Sequence, residues 1–121
     1  MIKIEAKRKF VPVEIGKNTF QFDLSDDAIL KLRDTYNQTL DGIQKIDVRA
    51  ELSEDQRIER TKKLFKTSID YLLGSGAFNK IYKEVGSVAS VADILEELNE
   101  QLPQAIEETM VSDKLKKYLG E

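Results

Sequence analysis

The feature that most constrains this chain is a glycine-punctuated joint, residues 72–88, between two long segments with helical periodicity. It holds three of the six glycines, Gly74, Gly76 and Gly86. Glycine readily adopts left-handed backbone conformations and often ends helices. The sequence therefore predicts structural turns at these glycines, with Gly74 ending a helix in the left-handed conformation. A short helix, Ala77 to Lys83, is expected between the turns, and it carries the aromatic pair Phe78 and Tyr82.

Two amphipathic helices are predicted before the joint. Ser25 is a candidate N-cap for the first, in which apolar residues recur at helical spacing from Ile29 to Ile43. This helix is expected to weaken or break between Asp41 and Leu52. The sequence Ser53-Glu54-Asp55-Gln56 then fits a capping box and begins a second helix, which runs to Leu73.

After the joint, the pattern predicts one long helix that begins at Ser87 or Ser90. Its apolar stripe consists of Val91, Ile94, Leu95, Leu98, Leu102, Ala105, Ile106 and Met110. Pro103 lies within the stripe, and a helix-interior proline predicts a kink or break near Gln101–Leu102. Gly120 is expected to end this helix.

Residues 8–24 predict a β-hairpin, with turn residues at Gly16-Lys17-Asn18 and period-two alternation after them. Pro12 cannot donate a hydrogen bond, so the first strand is expected at an edge. Ile2-Lys3-Ile4 is a weaker candidate for extending that strand. Two strands alone are marginally stable in water, so the hairpin must pack on the helices or add to another chain's sheet.

These patterns together predict a mainly α (α+β) protein with a small N-terminal hairpin and four or so helices. The length of 121 residues suits a single domain over residues 1–121. Within that domain we expect a β-hairpin region at 1–24 and a helical region at 25–121.

Composition bears on the class of function. The chain has no histidine and no cysteine, which removes the commonest general base, Cys/His zinc sites and thiol nucleophiles. We therefore expect no catalytic residues, no metal site and no cofactor. With 19 basic and 22 acidic residues, nucleic-acid binding is not favoured. Charges interrupt the opening residues and every apolar run is short, so neither a signal peptide nor a membrane span is predicted, and a cytoplasmic location is expected.

Several of the predicted helices carry an apolar stripe, although 34% of the residues in the chain are charged. Most of these apolar residues are explained by a core, but part of a stripe is available for a partner. The residues predicted to bind a partner are Phe78, Tyr82, Leu95, Leu98, Leu102 and Ile106.

The run from Leu73 to Tyr82, Leu-Gly-Ser-Gly-Ala-Phe-Asn-Lys-Ile-Tyr, resembles tail assembly chaperones of long-tailed (siphovirus-type) bacteriophages of Gram-positive hosts. The likeness includes a β-rich start and the later Asp93-Ile94-Leu95-Glu96-Glu97-Leu98, and covers about residues 58–110. It implies a non-enzymatic helper that binds the apolar tape-measure protein and assists tail-tube polymerisation. It also implies contact with the tail-tube protein, self-association, a location in the host cytoplasm and absence from the mature virion.

Two other classes remain open. The chain is alternatively a structural tail or head-completion protein that stays in the virion, with its hairpin added to a neighbour's sheet. A small DNA-binding regulator is less favoured because its recognition helix would be acidic, with Asp93, Glu96, Glu97 and Glu100.

Overall fold

The computed structural model describes residues 1–110, in which a two-stranded antiparallel hairpin is followed by four helices. This confirms the predicted α+β class. In chain order the elements are β1 (Phe10–Ile15), β2 (Asn18–Asp23), α1 (Asp26–Asp47), α2 (Glu54–Leu73), α3 (Ala77–Val85) and α4 (Val88–Met110).

The hairpin closes through a two-residue turn, Gly16-Lys17. Ile15 pairs with Asn18 next to the turn, and Val11 pairs with Phe22 further along. Gly16 has φ +57, a positive value that suits the right-handed twist of the two strands. The expected extension by Ile2-Lys3-Ile4 is not found, because β1 begins only at Phe10.

The boundaries of α1 and α2 follow from their caps. The Ser25 hydroxyl accepts the Ala28 N–H at 3.2 Å, and α1 then runs to Asp47. Ser53 and Gln56 make both bonds of the capping box that begins α2. The interruption between these helices therefore lies where the sequence predicts it.

An arginine from α2 closes the end of α1. The Arg57 guanidinium donates to the carbonyls of Ile46, Asp47 and Arg49 at 3.1, 3.2 and 2.7 Å. The last carbonyls of a helix lack intrahelical partners and carry partial negative charge, so a guanidinium fork stabilises them. Arg57 therefore has a structural role at the C-terminal end of α1.

Of the two predicted starts of α4, Ser87 and Ser90, the structure has the first. The Ser87 hydroxyl accepts the Ser90 N–H at 3.1 Å, and α4 begins at Val88. The helix continues through Pro103 to Met110, so of the two predicted alternatives, a kink or a break, the break is not found. Gly120 lies outside the described residues.

The core lies where the hairpin crosses α2, α3 and α4. The largest fully buried side chains come from all four, and they are Phe22, Phe65, Ile69, Ile81 and Val91. Helix α1 packs along α2, where the Thr39 and Ser68 hydroxyls are 2.6 Å apart in a buried contact. The hairpin thus gains the support that two isolated strands lack.

Candidate functional site

A groove of about 360 Å³ lies between strand β1 and helix α4, with helix α3 at one end. We call it the β1–α4 groove. Six consecutive residues of the strand and turn, Val11 to Gly16, form one wall. Residues from the apolar stripe of α4 form the other, and they are Ile94, Leu98, Leu102 and Ala105.

The strand wall is the open edge of the two-stranded sheet. Lys9, one residue before β1, accepts the Leu24 N–H at 2.9 Å. Hydrogen-bonded and non-bonded pairs alternate along an antiparallel ladder, so Val11, Val13 and Ile15 bond to β2. Phe10, Pro12 and Glu14 then direct their backbone groups to the open edge, where Pro12 costs the hairpin no hydrogen bond.

The rim of the groove is acidic. Glu14, Glu84 and Glu97 line it, and no lysine or arginine does so among the described residues. The Glu84 carboxylate accepts the Lys17 backbone N–H at 3.1 and 3.2 Å and the Asn18 side-chain amide at 3.3 Å. Glu84 of α3 therefore fixes the hairpin turn at the end of the groove, while Glu14 and Glu97 remain exposed.

The joint between α2 and α4 sets the position of the groove's helical wall. All three predicted turn glycines lie at helix ends with positive φ: Gly74 at +105, Gly76 at +86 and Gly86 at +75. Gly74 has ψ 158 and is not in the left-handed helical conformation that its position predicted. The conformation that Gly74 does adopt, extended with a positive φ, is almost exclusive to glycine. The joint therefore still requires glycine at this position, although not to form a left-handed helix end.

An aspartate caps the short helix after the joint. Gly76 supplies no side-chain cap, and the Asp70 carboxylate of α2 accepts the Phe78 N–H at 2.8 Å instead. Partial burial raises the pKa of Asp70, but hydrogen bonds from Phe78 and Lys66 outweigh it and leave the pKa below 3.8. The carboxylate thus stays ionised at the positive end of α3.

The structure buries most of the residues predicted to bind a partner. Phe78 and Leu102 are each 2% exposed, and Leu95, Leu98 and Ile106 are also buried within the chain. Tyr82 is half-buried: its ring stacks on Phe78 and lies under the Lys62 ammonium, 4.4 Å from the ring centroid. Only Leu98 and Leu102 of this set line the groove, and their contact with a partner stays a prediction.

The sequence did not indicate the β1 edge or Glu84 as parts of a site. Glu84 and Lys17 are 67 residues apart in the chain, and no local pattern links them. The one available signal for the edge was Pro12, which predicts an edge strand but not what lies beside that edge.

A second, more polar cavity lies between β2, α1 and α2. Its wall includes Lys31 and Tyr71, with the ammonium 5.4 Å from the ring centroid. Interaction with the Tyr71 hydroxyl raises the pKa of Lys31. None of the predicted site residues lies here.

Within residues 1–110, no cluster of acidic side chains is arranged to hold a metal ion. None of the four helices described is both long and apolar enough to cross a membrane. The fold and the groove define a mainly helical protein with an open strand edge beside an apolar helix face. Comparisons of the chain with family models, curated proteins and solved structures give no match.

Proposed function

We propose that this chain is a non-catalytic tail assembly chaperone, and that its β1–α4 groove binds an apolar segment of the tape-measure protein. The observation that supports the proposal most is the groove itself, in which Leu98 and Leu102 lie between an open strand edge and an acidic rim. An apolar floor with few polar rim groups is the usual form of a binding cleft.

The charge of the chain suits such a role. A long apolar protein aggregates unless its apolar surface is covered, and a cover with net charge keeps the complex in solution. The chain carries a formal charge of −3, so each bound copy adds negative charge. In this proposal several copies self-associate along the tape-measure protein in the host cytoplasm, contact the tail-tube protein during polymerisation and are absent from the mature virion.

Co-purification with tape-measure fragments tests the groove. Gln101 is exposed and lines the groove, whereas Gln104 is exposed on the same helix outside it. Gln101→Arg fills the rim with a long charged side chain and should weaken binding at least about tenfold, which corresponds to roughly 1.4 kcal/mol. Gln104→Arg makes the same chemical change and should leave binding unaltered. Equal binding by both variants and the unchanged chain would reject the groove as the site.

The open edge of β1 also favours a second candidate, a structural tail or head-completion protein that adds its hairpin to a neighbour's sheet. The two candidates differ in the mature particle. Mass spectrometry of purified virions should detect no copies of a chaperone, whereas a structural protein should be present in fixed number. Detection of the chain at stoichiometric level would favour the structural alternative.

A further inference from the structure

Residues 2–7 form an exposed segment, which we call the arm. Ile2 and Ile4 are 88% and 87% exposed, and they alternate with Lys3 and Glu5. This alternation is typical of a strand with one apolar face. Water contact with two neighbouring isoleucines is unfavourable, so the arm favours any surface that buries them.

The β1–α4 groove complements the arm in shape and charge. Its strand wall offers the unpaired N–H and carbonyl of Glu14 and the carbonyl of Pro12, which has no N–H to donate, and its helical wall is apolar. Its rim carries glutamates, while the arm is net positive: Lys7 pairs with Glu5 at 2.9 Å, which leaves the charge of Lys3 for the rim. An extended segment pairs with a strand edge, whereas a bound helix leaves the edge groups without partners.

The arm of the same chain is not placed to reach this groove. The Arg8 guanidinium bonds to the Asp23 carboxylate, and the Lys9 carbonyl accepts the Leu24 N–H. Both contacts hold the start of β1 against β2, so the arm leaves the sheet at that end. To fold back, the chain would need a tight turn at Lys7-Arg8, where hairpin turns favour glycine or asparagine.

We infer that the arm of one copy adds as a strand to the open edge of β1 in a second copy. Ile2 and Ile4 enter the β1–α4 groove, and Lys3 lies beside Glu14 and Glu97. Reciprocal exchange closes a dimer, while one-way exchange builds a row of copies. The exchange itself needs no tape-measure protein. Only one consequence rests on the proposed function: a tape-measure segment in the groove displaces the arm, so copies lined up along the tape-measure protein contact one another outside the groove.

Sedimentation of the full chain over a range of concentrations tests the exchange without any tape-measure protein. The unchanged chain should self-associate, and Ile2→Asp with Ile4→Asp should weaken that association at least about tenfold through lost apolar burial. The control makes the same change at two exposed apolar residues elsewhere, Leu30→Asp with Val48→Asp, which are 70% and 79% exposed. It should associate like the unchanged chain.

A labelled peptide with the sequence of residues 1–8 gives a second measurement. It should bind the full-length Ile2→Asp, Ile4→Asp variant, whose groove is unoccupied by its own arms in this scheme. Glu97→Lys should weaken that binding several-fold by reversing a rim charge. Glu96→Lys changes the charge equally on α4 outside the groove and should leave binding unaltered.

Three outcomes would overturn the inference. One is a chain that stays monomeric at every concentration, which includes the case of an arm that folds back on its own groove. Another is self-association that the arm substitutions do not change. The third is a peptide that fails to bind or binds both glutamate variants equally. Because no tape-measure protein is present, these outcomes are distinguishable from a failure of the proposed function.

Discussion

At the residue scale, Asp70 connects two helices through one carboxylate. It accepts the Phe78 N–H at 2.8 Å and the Lys66 ammonium at 3.1 Å. Asp70→Asn keeps the size of the side chain but removes its charge at the N-terminus of α3. Because the Asn amide oxygen can still accept the Phe78 N–H, only the interactions of the charge are lost, and we expect the free energy of unfolding at pH 7 to fall by about 0.5–1 kcal/mol. Urea unfolding followed by circular dichroism measures this change.

The pH dependence gives a sharper check on Asp70. Its pKa in the folded protein lies below the ordinary value of 3.8, so its stabilising contribution is present above that pH. The contribution is lost as the pH falls through the folded pKa. The difference between Asp70→Asn and the unchanged chain should therefore shrink in acid. Asp34→Asn, at an exposed aspartate of α1, should give little change at either pH, and a pH-independent difference at Asp70 would contradict the assignment.

At the element scale, α4 retains a proline in its interior at Pro103. Proline lacks the N–H that would bond to the Asn99 carbonyl and costs a helix roughly 3 kcal/mol relative to alanine. Proline also restricts the unfolded chain, which offsets about 0.4–1 kcal/mol of that cost. Pro103 is exposed, so we expect Pro103→Ala to raise the free energy of unfolding by the remainder, about 2–2.6 kcal/mol.

Urea unfolding of Pro103→Ala beside Gln104→Ala tests this expectation. Gln104 is the exposed neighbour, and its replacement should change stability by only a few tenths of a kcal/mol. Lower stability of Pro103→Ala would mean that a bend at Pro103 is needed to pack Leu102 and Ile106 into the core.

Elements with local signals were predictable from the sequence. The Ser53–Gln56 capping box, the Ser25 cap and the Gly16 turn each depend on neighbouring residues, and the structure has all three. The course of α4 through Pro103 was not decided by local rules, because packing of Leu102 and Ile106 on the core also contributes. Helix propensity alone predicts poorly where tertiary contacts favour a different structure.

The site was less predictable than the fold. An apolar stripe shows that a helix face is covered, but not by what, and here the chain itself covers Phe78 and Leu95. The β1–α4 groove combines residues 11–16 with residues 94–105. Their meeting depends on how the joint turns α3 and α4, which no spacing in the sequence specifies.

At the scale of the whole molecule, the hydrogen bonds between Glu84 of α3 and the hairpin turn join the strands to the helices beside the groove. A Cβ atom at Gly16 would collide with the Glu84 carboxylate, so alanine there would force Glu84 away from Lys17 and Asn18. Gly16→Ala should thus cost about 1 kcal/mol for the positive φ and about 1 kcal/mol more for the lost hydrogen bonds. Loosening this contact should also loosen one wall of the groove.

A double-mutant cycle isolates that contact. Glu84→Ala removes the same hydrogen bonds, so Gly16→Ala with Glu84→Ala should be about 1 kcal/mol more stable than the sum of the single effects predicts. Gly76→Ala is the matched control, because Gly76 also has positive φ but no atom within 4 Å of an added Cβ. Its cost should add to that of Glu84→Ala within about 0.5 kcal/mol.

Amide exchange should rise in β1 and β2 for either variant that breaks the contact, since a hairpin without support is marginally stable. Additive costs for Gly16 and Glu84, or unchanged exchange in the strands, would show that the helices hold the hairpin by apolar packing alone.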